Sequence, residues 1–336
     1  MKTKLLIFSL GALLIVFTPI PDRSQAALQG ESPELTEAAA LHKSALKLYT
    51  ENKGADAIPL AEKALAIRQR LLPANDVRVE ESLEMLGIVY YAKADYRGAK
   101  STLERALKLR ESRLGPDSFE LEPILDRLGL AYYFNHDLDK AESALVRVVA
   151  LKEKEFGPEH YYLAVSLSNL ANYYRSQGEW IQAAPLYKHA LELIAKKSGV
   201  DSAEFTQVSN NFICMCYENS QSAGLIKEFE LLKQRFTPHG EDATSTTEVL
   251  NGRALSLPAP RYPLQATAAR QSGRIIVKVW IDEDGNVYQA GSMCGGDPAL
   301  KTAAVNAAKQ AKFSPTLVNG VAVKITGVVV YNFVAR

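Results

Sequence analysis

One spacing limits what this chain can fold into more than any other feature. Leu86, Leu128 and Leu170 lie 42 residues apart, as do Ala99, Ala141 and Ala183, then Ala64, Ala106, Val148 and Ala190, and finally Gly115, Gly157 and Gly199. Within each period the apolar residues recur at helical intervals, Leu83, Leu86, Val89 and Tyr90 in one stretch and Ala99, Leu103, Ala106 and Leu107 in the next, so each stretch reads as a helix with one buried stripe. Each unit is therefore a pair of antiparallel helices. A single pair cannot bury its stripe, whereas stacked pairs share a continuous core, so the pattern predicts an α-helical solenoid. Five pairs can be traced, at roughly 35–72, 77–114, 119–156, 160–198 and 202–236, within a repeat domain spanning 33–236. The first and fifth are degenerate, with Ser44 at the leucine position, Pro73 at the capping glycine and Leu225 at the alanine position, as expected of terminal units that meet water on one face.

The small residues and the breakers have physical roles. Ala99, Ala141 and Ala183 let the second helix of each pair approach the first, and Gly115-Pro116 and Gly157-Pro158 are read as left-handed glycine caps followed by a residue that cannot continue the ladder. The stretch Leu167-Ser168-Asn169-Leu170-Ala171-Asn172-Tyr173-Tyr174, with Gly178, Ala183 and Ala190-Leu191, resembles the 42-residue tetratricopeptide repeat of kinesin light chains. That resemblance implies a concave groove lined by the first helices. The positions in register with Asn169, namely Met85, Arg127 and Asn211, together with Asn172, then become candidates for holding an extended peptide. The alternative is that these polar positions simply face water. Tyr90, Tyr132, Tyr173 and Tyr174 fall within the apolar periodicity and read as packing.

The N-terminus reads as an export signal. Lys2 and Lys4 precede the apolar run Leu5 to Ile20, and Ser24-Gln25-Ala26 offers small residues for cleavage, giving a signal peptide over 1–26. The run falls short of the roughly 20 residues that span a bilayer core. An uncleaved inner-membrane anchor facing the periplasm is the alternative. Lys and Arg number 39 against 38 Asp and Glu, a net charge of +1, so no global field draws nucleic acid or anionic lipid. Of the three cysteines, Cys214 and Cys216 are expected as buried free thiols on different faces of a helix, Cys294 lies in a turn and carries no reading of its own, and no disulfide framework is expected.

After Phe236 the periodicity ends in a polar linker over 237–254, and the signals change. Arg274 to Asp282 alternates as a strand, Glu283-Asp284-Gly285-Asn286 makes a hairpin turn, Asp297-Pro298 opens a helix running to about Lys312, and a β-rich run extends from Ala322 to Val334. A short helix is expected near 264–270. The ordered set Pro260-Arg261-Tyr262-Pro263-Leu264-Gln265-Ala266, Gly273, Asp282-Glu283-Asp284-Gly285-Asn286-Val287, Leu300, Ala304 and Phe313-Ser314-Pro315 resembles the TonB C-terminal family over 255–336. The resemblance implies a small α+β domain whose three-stranded antiparallel sheet accepts an extended segment along the run Lys324 to Phe333. Arg261, Tyr262, Val328, Val330 and Tyr331 inherit that contact role. Tyr262 and Pro263 have the alternative of only pinning the start of the domain.

The chain has no glycine-rich phosphate loop after a strand, no metal-ligand cluster and no nucleophile with a base. Cys294-Gly295-Gly296-Asp297 is accounted for by a turn leading into a capped helix. The expectation is a non-enzymatic exported adaptor without cofactor or metal, whose partners are proteins or extended peptide segments of the periplasm or outer membrane. The alternative is a membrane-anchored, TonB-type energy transducer. Against it, residues 5–20 hold no histidine and repeats stand where TonB has a proline-rich spacer.

Overall fold

The computed structural model describes residues 32–218, 223–236, 249–250, 253–263, 266 and 271–334. The expected signal segment, most of the linker and all but Ala266 of the short helix at 264–270 lie outside the described residues. The chain divides into two compact units that meet between Tyr173 and Tyr174.

In the first unit, helices α1 (Pro33–Thr50), α2 (Gly54–Leu71), α3 (Val77–Ala92), α4 (Tyr96–Leu114), α5 (Glu122–Phe134) and α6 (Leu138–Phe156) pack as successive antiparallel pairs, and α7 (Leu163–Gln177) begins the next. The repeated alanines do what their size allows: Ala57, Ala99 and Ala141 are wholly buried where paired helices touch, and so is Leu128 in the α5 stripe. Polar contacts join neighbouring repeats in the same register. Tyr90 Oη donates to Glu62 Oε1 at 2.5 Å, and one period later Tyr132 Oη donates to Glu104 Oε1 at 2.9 Å. These tyrosines therefore pack with their rings and bridge repeats with their hydroxyls.

The second helices of the middle repeats end on glycine, as expected, although the cap differs in one angle. Gly115, Gly157 and Gly199 combine φ near +80° with ψ of 164°, 160° and 166°, outside the left-handed helical basin. This region is open essentially to glycine alone. Pro116 and Pro158 favour it by forcing an extended ψ on the residue before them. Gly199 adopts the same angles before Val200.

His42 on α1 has a buried Nδ1 without a hydrogen-bond partner. Burial, with Arg68 nearby, lowers its pKa from 6.5 to about 4. Between those values the unfolded chain binds a proton that the folded chain refuses, so stability present above the unfolded pKa is lost as pH falls through the window. The loss approaches about 3 kcal/mol. Urea midpoints at about pH 7.5 and about pH 4.5 should converge in His42→Gln relative to wild type. An equal fall in both proteins would exclude His42 as the source.

The second unit continues with α8 (Trp180–Ser198), α9 (Ala203–Glu218) and α10 (Ala223–Phe236) and then changes class. Strands β1 (Val249–Leu250) and β2 (Ala254–Ser256) precede β3 (Gly273–Ile281) and β4 (Val287–Cys294). Helix α11 (Pro298–Ala308) follows, capped by Asp297, whose Oδ1 accepts from Ala299 N and Leu300 N at 2.8 and 3.0 Å. Strands β5 (Lys312–Phe313), β6 (Thr316–Val318), β7 (Val321–Val323) and β8 (Ile325–Phe333) complete the domain. The central sheet is antiparallel in the order β4-β3-β8. Ile275, Val277, Val279 and Ile281 of β3 and Val329, Tyr331 and Phe333 of β8 pack with Leu300, Ala304 and Ala308 of α11 as one core.

The β-rich run after α11 is divided rather than continuous. Asn319 and Gly320 adopt φ of 50° and 78°, as a type I′ hairpin turn requires, so β6 and β7 pair with each other. Only β8 joins the central sheet.

The cysteines also depart from expectation. Cys214 on α9 and Cys294 at the end of β4 form a disulfide across 80 residues of sequence, with Cα atoms 5.8 Å apart, and Cys216 stays a buried free thiol. Cys214 and Cys216 do point to different faces of α9. The face bearing Cys214 is the one that meets the sheet.

Candidate protein-binding sites

In the first unit the structure brings two of the residues expected to line the groove, Arg127 and Asn169, together and buries a third, Met85. Met85 is almost fully buried at 4% exposure, so its side chain belongs to the core of the α3 pair. Arg127 is half-buried, donates to Asp126 Oδ2 at 2.8 Å, and carries its guanidinium 6.0 Å from the centre of the Tyr91 ring. Asn169 Nδ2 reaches the other oxygen of the same carboxylate at 3.4 Å. Asn172 is half-buried one turn further along α7. Asp126 thus joins Arg127 of one repeat to Asn169 of the next, an arrangement the alignment on Asn169 overlooked. Its signal was present, since the residue before each aligned position reads Glu84, Asp126, Ser168 and Asn210. Beside the patch, burial raises the pKa of the Tyr91 phenol, keeping its hydroxyl a neutral donor. Chemically the patch offers a paired cation, an amide and aromatic faces, a set suited to a peptide backbone and one apolar side chain.

Asn211 lies in the second unit, half-buried on α9 at the corresponding register.

The terminal domain presents a different kind of surface. Strand β8 pairs with β3 through nine consecutive residue pairs without a register shift, from Ile325↔Ile281 to Phe333↔Gly273. Among the described residues its other edge has no strand partner. No charged residue or proline interrupts it between Ile325 and Phe333. The opposite edge, β4, pairs with β3 through two irregularities that leave Tyr288 and Met293 as extra residues. Bulges of this kind twist an edge away from further pairing, whereas a flat uncharged strand offers its N–H and C=O groups to another chain.

The side chains expected to act at this edge are already engaged in packing. Tyr331 faces α11 at 8% exposure, and burial raises its phenol pKa. Val328 and Val330 point to the other face and pack toward Cys214, Ile276 and Cys294. What β8 has left to offer is its backbone. Tyr262 is half-buried edge-on to Phe333, with ring centres 5.6 Å apart, while Arg261 is exposed beside a cleft of about 730 Å³ between Pro258–Pro263 and α11. The hydroxyls of Tyr262 and Tyr331 are both buried without a hydrogen-bond partner.

Comparison with known proteins matches this architecture. The tetratricopeptide repeat family profile fits residues 36–112 and 120–196, and that of the Gram-negative bacterial TonB protein C-terminal fits residues 258–335. A Podosopora anserina protein with nearly identical, kinesin light chain-type TPR-like repeats superposes on 62% of this chain and 100% of its own at TM-score 0.50 and 19% identity. BtubC (BKLC) from P. vanneervenii covers 66% of this chain and 99% of its own, with TM-score 0.47 and 16% identity. At 19% identity the first of these likenesses is one of fold. Among curated proteins, none matches the chain in sequence. Both families are non-catalytic interaction modules, and the second is a domain of the Gram-negative envelope. This chain therefore has a tetratricopeptide repeat solenoid over its matched repeats, similar in fold to kinesin light chain-like repeats, followed by a segment that matches the TonB C-terminal.

Proposed function

We propose that the protein is an exported periplasmic adaptor. Its repeats hold one protein through Arg127, Asn169 and Asn172, and its terminal domain docks another by strand addition. The observation that carries the reading is the uninterrupted, uncharged outer edge of β8, set against the bulged edge of β4. A docked segment gains main-chain hydrogen bonds along β8, while Arg261 and Tyr262 supply side-chain contact beyond the strand. Export is supported by the disulfide, because such bonds persist in oxidising compartments. No helix of the described residues is long and apolar enough to cross a membrane.

Photo-crosslinking in intact cells tests the docking edge. A photoreactive residue at Thr326 or Asn332, both exposed on β8, should trap an envelope protein. The same probe at Gln289 or Ser292, exposed on β4, should not. Equal capture from both edges, or capture from β4 alone, would remove the strand-addition reading.

A further inference from the structure

The 42-residue register that places residues along the first helices continues into the last repeat. Asn211, Cys214 and Tyr217 of α9 stand one period after Asn169, Asn172 and Arg175 of α7. Residues three apart share a helix face, so these three form the stripe that would meet a ligand in the last repeat. In this protein the stripe is already occupied. Cys214 is bonded to Cys294, and Tyr217 packs with Met293, Val328 and Val330 around the buried Ile276. The Arg274 guanidinium donates to the Tyr217 carbonyl oxygen. At the end of the helix Glu218 accepts two hydrogen bonds from Arg175, at 2.9 and 2.7 Å.

The sheet side of this contact is equally specific. The alternation of β3 and β8 sends Ile275, Val277, Val329 and Tyr331 toward α11, and Arg274, Ile276, Val328 and Val330 toward α9. A sheet with both faces apolar needs a cover on each. Here the second cover is a repeat helix, presented by the stripe that continues the register of Asn169 and Asn172.

We propose that the terminal domain is the resident ligand of the last repeat: its second sheet face occupies the ligand-facing side of α9, the Cys214–Cys294 bond keeps it there, and a dithiol reductant releases it. The inference rests on reading first helices as ligand-facing. Release is a thiol–disulfide exchange. The two thiols of the reductant give up two electrons and two protons and close to a disulfide, while the Cys214–Cys294 bond breaks and each sulfur leaves as a thiol. Cys216 cannot do this from within, because burial pushes its thiol up to about 12 and leaves almost no thiolate. With Cys214 at 2% and Cys294 at 6% exposure, the closed form is the resting state of the oxidised protein.

The test uses the full chain with a protease recognition sequence inserted after Asp242. Cut without reductant, the two fragments should run as one species under denaturing conditions, with a single alkylatable thiol. After dithiothreitol they should separate on gel filtration, and bis-ANS fluorescence should rise several-fold as the Ile276, Val328 and Val330 face meets solvent. The Cys214→Ser, Cys294→Ser double variant should behave as reduced wild type. If it fails to fold, the wild-type comparison with and without reductant still decides. Fragments that part without reductant, three alkylatable thiols in the oxidised protein, or reduced fragments that stay together with unchanged dye binding would each overturn the proposal. None of these readouts involves an outside partner, so failure here and failure of strand addition on β8 are told apart.

Discussion

Gly285→Ala is expected to destabilise the terminal domain by about 2–5 kcal/mol, combining backbone strain with an overpacked contact. Gly285 has φ of +83°, and an added Cβ would lie 1.9 Å from the carbonyl oxygen of Phe313. Neither side can yield cheaply, because the neighbour is backbone. The Phe313 N–H donates to the Gly285 carbonyl at 2.9 Å, and Asp282 Oδ1 accepts from Asn286 N at 2.7 Å to close the turn. The β3–β4 turn and the chain leaving α11 would have to part. Hydrogen exchange of β3 amides should accelerate while helices of the first unit keep their protection. Gly296→Ala is the control: nothing lies within 4 Å of its added Cβ, so its effect should stay within about 0.5 kcal/mol. Equal losses in the two variants would show that the close approach at Phe313 does not matter.

Leu128→Ala is expected to cost the repeat array about 3–4 kcal/mol. Leu128 is fully buried, at the centre of the series formed with Leu86 and Leu170, which are 4% and 5% exposed. Truncation removes apolar burial and leaves a cavity that neighbouring pairs fill only in part. Because repeats gain stability from their neighbours, the loss should lower the urea midpoint of the array and broaden its transition. Val165→Ala, at a residue 41% exposed, should change the midpoint little. A Leu128→Ala array as stable as wild type would show that the series is not a core stripe.

The repeat domain was legible because one spatial role recurs at Leu86, Leu128 and Leu170 and at Ala99, Ala141 and Ala183, so chance apolar residues cancel and the true stripe remains. The Asp-Gly turn at 284–285 was legible for a local reason: its dihedral requirement narrows the residue choice. The Asn319-Gly320 turn carries the same local signal, yet strands of three residues on either side are too short to show alternation. The Cys214–Cys294 pairing could not be read at all. Helical phase places Cys214 on a face, but nothing in the sequence says that a domain 80 residues later returns to that face. The candidate sites were partly visible in the same sense. Alignment on Asn169 found Arg127, whereas Asp126, which links the two, becomes evident only when adjacent helices are set side by side.

The unequal edges of the central sheet bear on how large an assembly can grow. Polymerisation through strands needs two open edges per subunit, one to give and one to receive, as in a fibre that lengthens at both ends. With β4 bulged and β8 straight, this sheet can be extended in one direction only. Under the proposed strand addition a segment is received at β8 alone, so copies of this sheet cannot chain to one another through β4. A protein concentrated in a confined compartment can expose a sticky edge for its partner without becoming a seed for its own aggregation.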